Sequence, residues 1–265
     1  MVRHYRVLIP NGLAFLSLLS GTGAILVAAA IPTAADAPRY LWGAGLLILA
    51  SYLIDGCDGA LARTLNTSTP FGLQLDSLRN PVDMVSLGVA PAVVLFVYGV
   101  RVVGVNPWLS GPVVVLVPLA GAFRLARFNL LPPKTTSHTD SLGLTISTSG
   151  ALLALAVLSN LAGAVAPSPI LYLGVTVGVS LLMVSTIAFP SLAWIFAGWR
   201  PTMVVLGLMG VSLMALSFFT AWLVWTSAYV GVALVRAGVR RVRRGERLEA
   251  TAEQGMGDVR KSKDA

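Results

Sequence analysis

Residues 55–83 read DGCDGALARTLNTSTPFGLQLDSLRNPVD. The stretch holds Asp55, Asp58, Asp76 and Asp83, four of the chain's eleven acidic residues, with apolar sequence of membrane-spanning length on either side. A carboxylate at membrane depth costs about 2.5–3.5 kcal/mol to insert, so it persists where it binds an ion, relays a proton or lines a polar cavity. Asp55 and Asp58, three residues apart, project from one face of a helix about one turn apart. Two such charges repel unless a cation sits between them. Gly59, Ala62 and Arg63 follow, giving small residues where a bulky ligand must approach and a fixed positive charge a turn beyond. Hard oxygen ligands suit magnesium or manganese, and no His or Cys cluster suggests zinc. The polar run Thr64 to Pro70 reads as a turn at the membrane surface, so the next helix brings Asp76 back toward the first pair.

Taken whole, the chain is 56% hydrophobic and 11% charged, with a mean hydropathy of +0.80. That excludes an ordinary soluble domain, which carries about twice the charge, and implies an all-α polytopic membrane protein. Stretches of spanning length, roughly 17–25 residues, run from about Leu13 to Ile31, Leu41 to Leu61, Val82 to Val103 and Val113 to Leu131. Further ones lie near Ser149 to Val165, Ile170 to Phe189, Met203 to Phe219 and Ala221 to Val235. The last two are nearly continuous, so seven or eight spans are possible, and charge arbitrates. Positive residues stay cytoplasmic. Eight spans of the cell membrane with both termini cytoplasmic put Arg3, Arg6, Arg63, Arg79, Arg124, Arg127, Lys134, Arg200 and the nine basic residues from Arg236 onward in the cytoplasm, leaving only Arg39 and Arg101 outside.

A transmembrane catalytic domain is therefore expected over 1–236, followed by a basic, disordered cytoplasmic tail over 237–265. The first 37 residues could alternatively be a secretory signal, with Arg3 and Arg6 as its charged region. Cys57, the single cysteine, precludes an internal disulfide and reads as a packing residue. The net charge of +8 resides largely in the tail and at span ends, where it meets anionic membrane lipids rather than nucleic acid.

The pattern Asp55-x2-Asp58-Gly59-x2-Ala62-Arg63-x8-Gly72-x3-Asp76 resembles the CDP-alcohol phosphotransferase motif D-x2-D-G-x2-A-R-x8-G-x3-D-x3-D, matching seven of its eight fixed positions. The segments Arg124-Leu-Ala-Arg127-Phe-Asn129 and Met183 to Ser191 are similar to the phosphatidylserine synthase branch of that family. The resemblance implies a six-helix core around a cytoplasm-facing polar site, often dimeric, with additional C-terminal spans. It implies metal-dependent transfer of a phosphatidyl group from CDP-diacylglycerol to the hydroxyl of L-serine, with CMP released. Two Mg2+ or Mn2+ ions would be held by Asp55, Asp58, Asp76 and Asp83, with Asp83 also a candidate base for the incoming hydroxyl. Gly59 and Gly72 would leave room for the nucleotide, Arg63 would meet a phosphate, and Asn11 would belong to the N-terminal element near the nucleotide. The glycines have helix packing as an alternative use, and Asn11 has helix capping.

The eighth position departs from the motif. Asn80 stands where the family has its fourth aspartate, and Asp83 follows three residues later, with Pro81 between them. An unbroken helix would separate Asp76 from Asp83 by about 10.5 Å of rise, too far to share a metal, so Pro81 is expected to kink or reset the helix. Arg124 and Arg127, three apart near the end of the fourth span, could hold a lipid phosphate or the acceptor's carboxylate, or serve as snorkelling anchors. The hydroxyl-rich run from Gly143 to Gly150 could line the acceptor pocket or simply start a helix. Glycerol 3-phosphate and inositol phosphate are the alternative acceptors. A proton or cation transporter using the intramembrane aspartates is the competing class.

Overall fold

The computed structural model describes residues 2–65, 79–130, 141–164, 166–189, 212 and 216–239. Six helices follow one another: α1 (Val2–Ala29), α2 (Ala37–Leu65), α3 (Arg79–Val103), α4 (Pro107–Leu130), α5 (Ile146–Leu161) and α6 (Pro169–Val184). A seventh, α7, runs from Phe218 to Val239. Two short strands, β1 (Ser141–Leu142) and β2 (Ala188–Phe189), pair antiparallel across the ends of α4 and α6.

Five of the helices, α1 to α4 and α7, contain windows long and apolar enough to cross a membrane, whereas α5 and α6 are shorter apolar helices. The architecture is that of a polytopic all-α membrane protein. Six of the eight expected spans correspond to α1 to α6 and the last to α7, while most of the stretch Met203 to Phe219 lies outside the described residues. The reading of Asn11 as a helix cap is corrected here: α1 begins at Val2 and carries Asn11 in its interior, where the backbone N–H groups that a cap would serve already have helical partners.

α5 is the central helix. It buries Ile146, every residue from Ser149 to Leu155, and Val157 to Ser159, the all-round burial of a helix surrounded by others. α1 and α2 form an antiparallel hairpin along its flank, with Ala24 and Ala28 facing Ala37, Leu41, Ala44 and Ile48 in one buried core. Outward-facing residues such as Phe15, Leu19, Leu119 and Phe123 are large, apolar and exposed, a surface that is stable only against lipid tails.

The alternation of helix directions sorts the ends. The C-terminal ends of α2, α4 and α6 and the N-terminal ends of α3 and α5 share one end of the bundle. α7 starts in the other half, where Phe219 packs edge-on against Trp42 at 5.0 Å, and runs toward the shared end, where Tyr229 meets Phe189 at 6.2 Å. The N-terminus of α1 and the C-terminus of α7 therefore lie on the same side.

Candidate active site

That shared end gathers the polar side chains. Asp55, near the C-terminal end of α2, keeps 17% of its side chain exposed and accepts a 2.6 Å hydrogen bond at Oδ2 from the Ser147 hydroxyl of α5. Its Oδ1 lies 3.6 Å from Nη2 of Arg79 at the start of α3, and the same nitrogen donates to the Asp55 backbone carbonyl at 3.3 Å. The short hydroxyl–carboxylate distance is that of a charge-assisted bond. Ser147 also sits in the first turn of α5, so the positive end of that helix dipole faces the carboxylate. A charge that would be costly in a bilayer is thus compensated from two neighbouring helices.

Ser147 is held in place by the chain just before it. Gly143 adopts φ +75°, and a Cβ there would sit 2.5 Å from the Met183 carbonyl oxygen. The N–H of Gly143 donates to the Ile187 carbonyl at 2.8 Å and that of Leu144 to the Leu182 carbonyl at 3.0 Å. Thr145 then caps α5, its hydroxyl accepting from the Thr148 N–H at 3.2 Å. Of the two sequence readings of this run, the helix start is observed at Thr145, while Ser147, two residues on, turns its hydroxyl to Asp55.

The two arginines of α4 divide in role. Arg127 donates to three backbone carbonyls, those of Val184 at 2.9 Å, Leu142 at 2.9 Å and Ser185 at 3.0 Å. It clasps the β1 segment to the end of α6. Arg124, one turn back and half-buried, lies within electrostatic reach of Asp83 on α3 and of Arg127.

Asp83 precedes a π turn, Met84–Val89, in which the Ala90 N–H reaches back five residues to the Val85 carbonyl. A π turn admits one residue more than an α turn and is frequent at functional sites. This one is gripped by backbone on two sides. A Cβ on Gly21 of α1 would strike Cα of Ser86, and one on Gly150 of α5 would strike the Leu87 carbonyl oxygen. Ser86 donates to the Ser17 carbonyl at 3.0 Å, and the Ser17 and Ser51 hydroxyls share a 2.7 Å bond. Three helices are thereby tied together by buried hydroxyls, each with a partner, as buried polar groups require. The kink expected at Pro81 is not seen: the helix is regular from Arg79 through Asp83 and yields only after Asp83, while the relation of Asp83 to Asp76 lies outside the described residues.

Of the remaining sequence-derived candidates, Asn11 lies on α1, and Asp58, Gly59 and Arg63 lie on the last turns of α2, with their side chains outside the described portion. Gly72 and Asp76 lie outside the described residues altogether. Among the described residues, no three His, Cys, Asp or Glu side chains form a metal-binding group. The described oxygen donors at this end, the Asp55 and Asp83 carboxylates, are hard and fit magnesium or manganese in kind. Ser147 as the direct partner of Asp55 was not singled out from the sequence. Its signal was the density of hydroxyls after Gly143, which does not say which of them faces inward.

Comparison with known proteins adds to this geometry. A family described as CDP-alcohol phosphatidyltransferase matches residues 7–233. A Helicobacter pylori protein named CDP-diacylglycerol–serine O-phosphatidyltransferase is 33% identical over 196 residues, 72% of this chain and 77% of that protein. Proteins of the same name from Saccharomyces cerevisiae, 38% identical over 35% of this chain and 31% of its own length, and Methanocaldococcus jannaschii, 38% identical over 33% and 39%, are similar over shorter stretches. No solved structure matches.

Proposed function

The chain belongs to the CDP-alcohol phosphatidyltransferase family, and from that premise we propose that it is a CDP-diacylglycerol–serine O-phosphatidyltransferase of phospholipid biosynthesis. The observation that carries this reading is the extended similarity to a serine-transferring relative over 72% of the chain. The polar end of the bundle supports it: Asp55 is compensated by Ser147 and Arg79, and Asp83, one turn along α3 from Arg79, lies within electrostatic reach of Arg124.

In the proposed reaction the serine hydroxyl attacks the phosphorus that carries the diacylglycerol. The new oxygen–phosphorus bond forms as the pyrophosphate bond breaks and CMP leaves. Two Mg2+ or Mn2+ ions, when bound to Asp55, Asp58, Asp76 and Asp83, would neutralise the pyrophosphate and the departing phosphate. Asp83 takes the proton of the serine hydroxyl. Arg63 meets a phosphate of the donor, while Gly59, Gly72 and Asn11 shape the nucleotide pocket. Arg124 binds the serine carboxylate or the lipid phosphate. Arg127 acts at one remove, by holding the segment that aims Ser147 at Asp55.

The protein is further proposed to cross the cell membrane eight times, with both termini cytoplasmic, and to form a homodimer. The even number of crossings is supported by the ends of the helices: β2 closes at the site end, whereas α7 begins in the opposite half. A reporter fused to the C-terminus that is active only in the cytoplasm should be active.

The functional test is CMP release by the detergent-purified protein with CDP-diacylglycerol and either metal ion, run with serine, glycerol 3-phosphate, inositol phosphate or no acceptor. Release that requires both metal and serine is expected. Release driven by another acceptor would reassign the substrate, and metal-dependent donor binding without release would leave a nucleotide-lipid-binding protein.

A further inference from the structure

Arg79 lies in the stretch by which this chain departs from the family motif. The motif places its fourth aspartate at position 80, and here Arg79-Asn80-Pro81 intervenes before Asp83. The guanidinium so introduced faces the site: Nη2 lies 3.6 Å from Oδ1 of Asp55 and donates to the Asp55 backbone carbonyl at 3.3 Å.

The two partners of Asp55 hold it unequally. Ser147 donates to Oδ2 at 2.6 Å, whereas both Arg79 contacts are longer than the roughly 2.7–2.9 Å of a close charge-assisted hydrogen bond. The ion pair is also open to solvent, with 24% of the Arg79 side chain and 17% of that of Asp55 exposed. Oδ2 is thus fixed by a neutral hydroxyl, while Oδ1 carries a loosely seated cation that can leave without disturbing the anchor.

An arginine resting on a carboxylate competes with any metal ion for it. A divalent ion and a guanidinium repel each other at this range, and the hard, charge-dense ion is the better match for carboxylate oxygen. A displaced guanidinium needs another anion. Its planar fork of donors suits a phosphate in a way that an ammonium does not, and the nucleotide lipid brings a diphosphate to this same end of the bundle. Arg79 stands in the first described turn of α3 on a long side chain, so the exchange asks for a change of rotamer rather than a movement of the helix.

We propose that Arg79 is a donor-binding residue, which rests on Asp55 while no metal or donor is bound and passes to the diphosphate of the CDP-lipid when both are present. The proposal rests on the assignment of the site to CDP-diacylglycerol and adds to it a residue that the motif does not contain. It has two consequences of opposite sign. Arg79 lowers the affinity of the site for the metal ion and raises the affinity of the metal-loaded site for the donor. An arginine that merely propped Asp55 in place would raise both.

The test uses the full chain in detergent, with Mn2+ binding read from the paramagnetic resonance of the free ion and CDP binding read by calorimetry at saturating Mn2+. In Arg79→Gln, Mn2+ should bind about fivefold more tightly without nucleotide, the scale of a partly exposed ion pair. CDP should bind about tenfold more weakly, the scale of a hydrogen bond to a charged group. Arg79→Lys keeps the charge without the fork, so Mn2+ affinity should stay near the parent value while CDP affinity still falls; this variant decides the donor contact if the glutamine variant does not fold. Mn2+ bound equally or more weakly in Arg79→Gln overturns the competition, and unaltered CDP affinity in both variants overturns the donor contact. A parent protein that takes Mn2+ but no CDP overturns the assignment of the site itself, and the donor contact with it.

Discussion

Helix α3 yields twice, and the two π turns are built differently. The first, Met84–Val89, lies just after Asp83 and is gripped by backbone: Gly21 and Gly150 let α1 and α5 approach so closely that a Cβ would collide with Ser86 and Leu87. The second, Gly99–Val103, lies at the opposite end, stops at Gly104 with φ +78°, and packs against the side chain of Tyr172. Backbone packing admits almost no adjustment, whereas a side chain can rotate. The turn beside the carboxylate is therefore the rigid one, as expected where a reacting group must be held within a few tenths of an ångström. The distal turn serves only to end the helix.

The most severe break in this comparison should come from chemistry at the rigid turn. Asp83→Asn is expected to lower CMP release by roughly a hundredfold or more, the scale of losing a general base, with the protein remaining folded. Asn80→Asp should leave activity near the parent level. The reverse pattern would show that the fourth motif position is filled by residue 80 rather than by Asp83.

Next in size is the packing itself. Gly150→Val puts a branched side chain against the Leu87 carbonyl with nowhere for the backbone to move. A loss of about 3 kcal/mol, the upper range for overpacking, is expected in a detergent melt. Retention of the parent melting temperature would mean that α5 and the π turn separate easily, and the contrast between the two turns would fail.

A smaller effect is expected one step out from the reacting groups. Ser147→Ala removes the 2.6 Å bond to Asp55 while leaving the Arg79 pair. About tenfold lower kcat is expected, equivalent to ~1.4 kcal/mol, close to the lower end for a hydrogen bond to a charged group. Ser147→Thr should restore most of it. Unaltered kcat with raised KM for serine would instead place the hydroxyl on the acceptor.

These residues also show what a sequence discloses. Span positions were legible because hydropathy is a local sum, and the Asp55 to Asp76 pattern was legible because its spacing is set by one helical hairpin. The π turns were not, since nothing in Met-Val-Ser-Leu-Gly-Val specifies five-residue hydrogen bonding: the glycines that permit it stand 63 or more positions away in one direction and 61 or more in the other. Arg127 was readable as a cation near a membrane surface. Its three carbonyl partners depend on where α6 ends. The partnership of Ser147 with Asp55 spans 92 positions and needed the whole bundle to appear.

The mildest test concerns the distal turn. Tyr172 donates to the Leu95 carbonyl at 3.2 Å and shares a 2.7 Å hydrogen bond with Ser110, so Tyr172→Phe removes both bonds without emptying space. Ser110 is fully buried, and its hydroxyl would lose this partner, so a loss of about 1–2 kcal/mol in stability is expected. Activity should be unchanged, because among the described residues no group of the polar end touches this region. If Tyr172→Phe instead lowered CMP release as much as Ser147→Ala, α3 would be transmitting the state of one π turn to the other along its length. The rigid clamp at Gly21 and Gly150 would then be a pivot rather than an anchor. An unchanged rate in a less stable protein is the outcome that a helix pinned between two backbones requires, since a pinned segment does not pass on the loosening of its far end.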